Sequence, residues 1–488
     1  MSILGWLPFL ILLFILISAV IVYLLVGKSR LLGEMYTTLV ILIALGLNFL
    51  MLPTIMAGET ILWKYRLFNF PLSISLRVDS LGLFMSILIL VLWLLATIYS
   101  RDYVAHGHAH SRYYSIFLLT LLSNIGVVWS GDLLGFLLFF EMLALTSYLL
   151  VIHEEDSFAL FAGDKYLYMS IAGGLGVVLG VVATFFLAGD LSFGQGGIIE
   201  EPSGLALVAF IGFLLGFSIK GGLFPLHIWL PDAHPAAPAP VSALLSGIMI
   251  KIGAFGVYRI LFDVFGVEFI LELAWNQIPL ILSTISILLG SAMALRQDDL
   301  KRRLAYSSIA QIGYVFLGLF LLNEQALVGA TYHIFAHAVM KGLLFLCAGA
   351  IIIQTGRKKI STLSGIGRVM PITMGCFTLA SLSMVGIPPF NGFLSKWQLC
   401  MGALEEGLPL FAILLIVSSL LNAAYYFPIL EIAFWEEADN EMAGGKEAGL
   451  VMTLPMMMLG LSTFVFVISP WNWPLEAAQA IVKSLFFI

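Results

Sequence analysis

Charge is what this sequence has least of. Of 488 residues only 11% are Asp, Glu, Lys or Arg, while 61% are hydrophobic, and the mean hydropathy is +1.04. A water-soluble domain carries roughly 25% charged residues, so most of this chain cannot face water and its solvent is lipid. Cysteine is nearly as scarce. Cys347, Cys376 and Cys400 each sit in an apolar stretch, too scattered for an iron–sulfur or zinc cluster, and read as small packed hydrophobes. No cofactor and no metal is expected, and any redox chemistry belongs to a different chain. The net charge of −6 has no acidic tail or basic block behind it, so nothing points to nucleic acid. Strand-type alternation is absent throughout, which excludes a membrane barrel in favour of a helix bundle.

What is present is a series of apolar runs about as long as a bilayer is thick. They fall at roughly 3–27, 35–57, 78–100, 113–130, 132–152, 164–188, 204–224, 239–262, 277–295, 304–322, 327–353, 371–403, 408–434 and 449–470. The opening run lacks a basic leader and reads as a retained first helix. Loops after odd-numbered helices hold fourteen Lys and Arg, against four in or beside the even-numbered ones. Cytoplasmic loops are the basic ones, so both termini are expected outside the cell.

Against this background five residues stand inside predicted spans: Glu141, Lys220, Lys251, Lys341 and Lys396. A charge at a helix centre costs about 2.5–3.5 kcal/mol on insertion scales, so five facing lipid unpaired would cost roughly 12–17 kcal/mol. They must face inward. A buried lysine can exchange its proton when burial and a neighbouring carboxylate nearly balance, which makes it a proton-relay element. The bland alternatives are static ion pairs that fix helix packing and groups that snorkel to the interface.

Two of these lysines lie beside helix breakers. In GFSIKGGLFPLHIWLPDAHP, Pro225 lacks an N–H and clashes with the carbonyl of Gly221, next to Lys220. In MVGIPPFNGFLSKWQLC, Pro388 and Pro389 interrupt the run and Lys396 follows. Interrupted helices in both halves of a chain point to an inverted-repeat transporter, although one lysine precedes its break and the other follows. His333, His337 and Lys341 are spaced i, i+4, i+8 and share a helical stripe. Imidazoles there suit proton hand-over, with plain packing as the alternative. His227, Asp232 and His234 lie in the loop after helix 7, and Ser242, Ser246 and Gln311 could hold ordered water. The loop clusters His106, His108, His110 and Glu154, Glu155, Asp156 read as solvated surface.

KGGLFPLHIWLPDAHPAAPAPVSALLSGIMIKIGAFGVYR, KRRLAYSSIAQIGY, HIFAHAVMKGLLFL and GIPPFNGFLSK resemble motifs of the antiporter-like membrane subunits shared by Mrp-type Na+/H+ antiporters, respiratory complex I and membrane-bound energy-converting hydrogenases. The likeness runs from about Asp79 to Trp435. It implies an all-α integral membrane protein of about fourteen helices. Helices 1–3 would occupy 1–112, an inverted five-helix repeat of helices 4–8 residues 113–262, its counterpart of helices 9–13 residues 263–435, and helix 14 with a tail residues 436–488. Helices 7 and 12 would be broken. The resemblance further implies that Glu141 pairs with Lys220, that Lys251 connects onward, that His333 and His337 form a polar axis, and that Lys396 stands at the outlet. Lysine at 396, where some complex I members carry glutamate, favours the D-type component of Mrp antiporters or its hydrogenase relative. The implied setting is the cell membrane of a bacterium or archaeon, with other membrane subunits as partners and H+, exchanged for Na+ in an antiporter, as the transported ion. Two rivals stay open: a scaffold subunit that conducts nothing, and a self-sufficient carrier of an organic solute, against which no substrate pocket is legible.

Overall fold

The computed structural model describes residues 3–66, 73–194, 196–438 and 445–486. Each of the fourteen apolar runs forms helix. They are α1 (Ile3–Lys28), α2 (Arg30–Met56), α3 (Ser80–Tyr103), α4 (His110–Val128), α5 (Leu133–Val151), α6 (Ser157–Ala188), α7 in two pieces (Gly204–Gly221 and Leu230–Ala236), and α8 (Ala239–Val264). Then come α9 (Gln277–Leu295), α10 (Leu300–Leu321), α11 (Glu324–Thr355), α12 in two pieces (Pro371–Val385 and Asn391–Glu405), α13 (Pro409–Trp435) and α14 (Leu450–Val465). A further helix, α15 (Trp473–Phe486), lies in the tail. Among the described residues eleven helices are long and apolar enough to cross a membrane unaided. The chain is a multi-pass membrane protein.

One expectation needs correction. Alternation is not absent throughout: β1 (Ile61–Arg66) pairs antiparallel with β2 (Ser73–Val78), Ile61 opposite Val78 and Arg66 opposite Ser73. Ile61 and Trp63 turn inward while Leu62 and Lys64 face out, the period-two pattern of a half-buried strand. Trp63 stacks on Phe9 of α1 at 4.5 Å. The hairpin is a connection between α2 and α3, so the spanning architecture remains helical.

The loops sort into two sets. On one side, Arg112 pairs with Glu155, Asp298 accepts from the backbone N and hydroxyl of Ser361 at 3.0 and 2.8 Å, and Ser364 donates to Glu436 at 2.5 Å. The Arg112 guanidinium holds the Glu155 carboxyl below its usual range. On the other side, Asp132 accepts from Ser75 at 2.5 Å, and Arg77 meets Asp263 at 2.8 Å. Loops after odd helices touch one another, as do loops after even helices, which is what an unbroken alternation of crossings requires.

Small residues bring the helices close. A Cβ at Gly176 of α6 would lie 2.8 Å from the Gly212 carbonyl of α7, and one at Gly253 of α8 would lie 2.6 Å from the Gly221 amide. Lipid gives no hydrophobic push between helices, so such backbone contact supplies the dispersion that holds them. Exposed Leu, Ile and Val cover α1, α2, α6 and α13, whereas α8, α10 and α11 are almost wholly enclosed. These enclosed helices carry Lys251, Gln311, His333, His337 and Lys341, where protein rather than lipid surrounds them.

Candidate functional site

Both predicted breaks are present and locally alike. The first piece of α7 ends at Gly221, followed by Gly222 at φ +75°, and the first piece of α12 ends at Val385, followed by Gly386 at φ +91°. A left-handed glycine ends a helix without a Cβ clash. Three residues on stand Pro225 and Pro389, each after a cis peptide bond.

The lysines relate to these ends in a way the linear order hides. Lys220 lies in the last turn of the first α7 piece. Lys396 lies in the second α12 piece but reaches back, its Nζ donating to the carbonyls of Met384 at 2.7 Å and Val385 at 3.0 Å and to Ser419 Oγ at 3.1 Å. Both amines therefore sit at the C-terminal end of a half-helix, where unpaired carbonyls and the negative pole of the helix dipole attract a cation. At the α7 break the carbonyl of Ile219 accepts from the Gly222 amide at 3.2 Å and from the indole Nε1 of Trp229 at 2.8 Å, and not from Lys220.

Lys220 is buried, and its Nζ donates to the hydroxyl of Tyr166 at 2.9 Å. That hydroxyl is 2.6 Å from Ser147 Oγ, and the Tyr166 ring lies 4.7 Å from that of Trp229. A cavity of about 10 Å³ adjoins the amine, lined among others by Phe140, Tyr166, Ser170 and Trp229, room for about one water. Glu141 of α5 lies within electrostatic reach of Lys220, yet no ion pair within 4.0 Å joins them among the described residues. The Oε1 of Glu141 is buried without a hydrogen-bond partner and rests on the backbone of Gly174. A Cβ there would overlap Oε1 and come within 2.7 Å of Cδ. The obstructed group is the end of a flexible side chain, so Gly174→Ala should relocate the carboxyl without unfolding the bundle. We expect the variant to accumulate to wild-type levels with little change in its thermal midpoint, which expression and thermal-unfolding measurements check.

Lys251 lies at the end of a π-helical turn, Leu245–Met249, and donates to the Ser246 carbonyl that this turn exposes; π-turns recur at functional sites. Ser246 in turn meets Ser308 at 2.8 Å. His333 and His337 stack at 5.8 Å, nearly parallel. His333 Nδ1 is 2.8 Å from Ser395, the residue before Lys396, and Tyr314 stands edge-on to His333 at 5.4 Å while lying 5.3 Å from the Lys396 amine. His337 is within electrostatic reach of Lys251, His333, Lys341 and His234. Lys341 turns away to α10 and α13, donating to the Leu304 carbonyl at 2.8 Å, to Ser307 and to the Tyr426 hydroxyl at 3.4 Å. Among the described residues no hydrogen bond joins Lys220 to Lys251.

The interior contains polar atoms that protein does not satisfy. Both ring nitrogens of His337 and of His234, Nε2 of His333 and both ends of the Gln311 carboxamide are buried without a partner. Each unmatched group costs about 1–3 kcal/mol. At buried polar positions the partner that removes this cost is ordered water.

Sequence reasoning missed the hydroxyls that accept from the lysines, those of Tyr166, Ser307, Ser419 and Tyr426, and, behind them, Ser147 on Tyr166 and the Tyr314 ring beside Lys396. It also missed a quartet near the hairpin, in which Arg259 meets Asp79 at 2.7 Å and Asp263 at 3.1 Å while Arg77 meets Asp263. Arg259 was visible only as a helix-edge charge. Asp232 turns out to be clamped between Lys165 at 2.7 Å and Arg302 at 2.9 Å. In the loops His108 stacks on His153 at 5.3 Å. Burial pushes His153 down to about 4, helped by Arg112. The side chain of His106 lies outside the described residues.

Comparison with known proteins adds to this geometry. Residues 130–422 match the family described as NADH:quinone oxidoreductase/Mrp antiporter, transmembrane. Residues 63–114 match the complex I chain 5 N-terminus. The N component of the NADH-quinone oxidoreductase of Desulforudis audaxviator is 35% identical over 436 residues, covering 84% of this chain and 85% of the relative. The D component of the Na+/H+ antiporter of Alkalihalophilus pseudofirmus is 29% identical over 427 residues, 86% and 85% of the two chains. Among solved structures, a chain of the Mrp complex of Dietzia sp. DQ12-45-1b superposes with a TM-score of 0.90 at 22% identity, covering 100% of this chain and 98% of that one. A chain of the archaeal membrane-bound sulfane sulfur reductase complex superposes with a TM-score of 0.82 at 26% identity, covering 94% of this chain and 76% of that one.

Proposed function

The chain belongs to the NADH:quinone oxidoreductase/Mrp antiporter transmembrane family, and from that premise we propose that it is the ion-translocating membrane subunit of a multisubunit complex. It moves protons, exchanged for Na+ in an antiporter assembly, along an interior row of Glu141, Lys220, Lys251, His333, His337, Lys341 and Lys396. The observation that carries this reading is that His337, whose ring nitrogens have no hydrogen bond among the described residues, lies within electrostatic reach of Lys251, His333 and Lys341, while His333 meets Ser395 and Tyr314 beside Lys396. Imidazoles bridged by ordered water are suited to hand protons from one lysine to the next.

In this reading a proton reaches Lys220, crosses by Lys251 and the stacked histidines, and leaves near Lys396. Approach of Glu141 toward Lys220 favours the protonated amine and separation releases the proton, so a neighbouring subunit that moves helix α5 sets the switch. The like-built breaks at Gly222 and Gly386 support two inverted repeats, α4–α8 and α9–α13. Relatives that are subunits of NADH-quinone oxidoreductases and Na+/H+ antiporters support partner membrane subunits here, in the cell membrane of a bacterium or archaeon. The basic odd loops support termini on the outer side.

Lys251→Ala tests the row at its middle. The substitution removes a buried amine held mainly by one backbone carbonyl, so assembly should survive while coupled transport falls by about 100-fold or more, the usual worth of a positioned proton-transfer group. Wild-type transport by the assembled variant sinks the reading. Lys341 and Lys396, each with three protein acceptors, favour a second reading in which those two fasten helices. A purely scaffolding chain would lose assembly in the lysine variants and lose no transport per assembled complex.

A further inference from the structure

We propose that Tyr166 and Ser147 form a hydroxyl swivel that serves Lys220 in both of its protonation states, making Tyr166 a positioning residue for proton release. The proposal rests on the translocation reading above and adds a partner that neither the charge pattern nor the family motifs assign.

The geometry is a chain of three links. Lys220 Nζ donates to the Tyr166 hydroxyl at 2.9 Å, Tyr166 lies 2.6 Å from Ser147 Oγ, and Ser147 donates to the Leu143 carbonyl one turn back in α5. All three side chains are shielded, Tyr166 being 1% exposed and Ser147 0%. Directions follow from donor count. An ammonium has only donors, so Tyr166 must accept from it and direct its own hydrogen to Ser147, whose hydrogen is committed to the carbonyl. When Lys220 gives up its proton, the amine gains a lone pair. The Tyr166 hydrogen then turns to donate into that lone pair, and Ser147 stays bonded to Leu143. No heavy atom needs to move.

The chain ends on a backbone carbonyl, which cannot take a proton onward, so it is a dead end for conduction. Its effect is to give Lys220 a partner before and after proton loss, where an unpaired buried amine would be penalised in one state. It also competes with Glu141, which among the described residues has no hydrogen bond to Lys220 and whose Oε1 has no hydrogen bond. Lys220 thus has a resting partner on α6 and a charged alternative on α5, and the hydroxyl is what it rests on when Glu141 is away. The aromatic ring has a separate structural task, packing on Trp229 at 4.7 Å and so against the broken segment of α7. Tyr166→Phe keeps the ring and deletes only the hydroxyl.

The experiment uses the intact complex, purified through a tag on this chain and reconstituted, with proton-coupled transport read across pH. Hydrogen bonds to charged groups are about twice as strong as neutral ones, so losing the hydroxyl harms the ammonium more than the amine. Tyr166→Phe should move the pH profile of transport acidward by about one unit and slow transport about 10-fold at neutral pH. Ser147→Ala frees the Tyr166 hydrogen for the amine and should shift the profile the same way by less; it serves also if Tyr166→Phe assembles poorly. A wild-type rate and pH profile in the assembled variants overturns the swivel while leaving the translocation reading intact. Wild-type transport by Lys220→Ala overturns that reading instead, and the swivel with it.

Discussion

Lys220→Ala should abolish coupled ion transport, with residual activity below about 1% of wild type, while the complex still assembles. The first half of the expectation follows from the position of Lys220 as the titratable group beside Glu141. A positioned proton-transfer group is worth about 100-fold or more, and no nearby side chain can replace it, because Tyr166 leads only to Ser147 and a backbone carbonyl. The second half follows from the partners left behind. Tyr166 keeps its contact with Ser147, so the substitution orphans no hydroxyl, and deleting a buried amine removes its desolvation penalty. Glu141 loses no hydrogen bond and no ion pair within 4.0 Å among the described residues. Transport assays normalised to assembled complex separate the two halves. Loss of assembly with normal transport per complex would reveal a scaffold residue.

Gly392→Ala should have the largest effect on stability. Gly392 is the second residue of the second piece of α12 and lies against the end of the first. A Cβ there would overlap the Ser383 carbonyl oxygen and come within 2.8 Å of its carbon. The obstacle is backbone, which has no rotamer with which to yield. Ser383 also accepts from the Gly392 amide at 3.1 Å and donates to Asn391 at 2.6 Å, so pushing the pieces apart breaks those bonds and carries Lys396 away from the Met384 and Val385 carbonyls. Overpacking of this kind costs about 3 kcal/mol or more. We expect a several-fold fall in assembled protein and a clear drop in its thermal midpoint. Gly375→Ala on the same helix meets nothing within 4 Å and should match wild type; equal behaviour of the two variants would refute the close contact.

Much of this was legible beforehand for reasons that involve one residue at a time. Placing an apolar side chain in lipid is favourable whatever its neighbours are, so runs of them gave the fourteen helices. Proline acts on its own backbone, so the breaks at Pro225 and at Pro388 and Pro389 were visible, while the left-handed Gly222 and Gly386 that end the first pieces were not. The hydroxyl partners were not legible, because Ser and Thr hide in membrane helices by bonding the carbonyl four residues back. Ser147 does so to Leu143, and Tyr166 counts as an ordinary aromatic in any hydropathy average. The hairpin escaped because its strands, six residues each, are short beside the spans flanking them.

The sequence by itself therefore determined that this is a multi-pass helical membrane protein with Glu141, Lys220, Lys251, Lys341 and Lys396 turned inward, since the cost of a charge in lipid depends on the charge alone. Only the tertiary structure decided what each one touches: Lys220 on Tyr166 and not in an ion pair with Glu141, Lys396 reaching back to the half-helix that precedes it, and His337 stacked on His333 with neither ring nitrogen hydrogen-bonded among the described residues. A hydrogen bond needs two groups within about 3 Å at a suitable angle, and for residues 54 positions apart, as Tyr166 and Lys220 are, the packing of whole helices sets that separation.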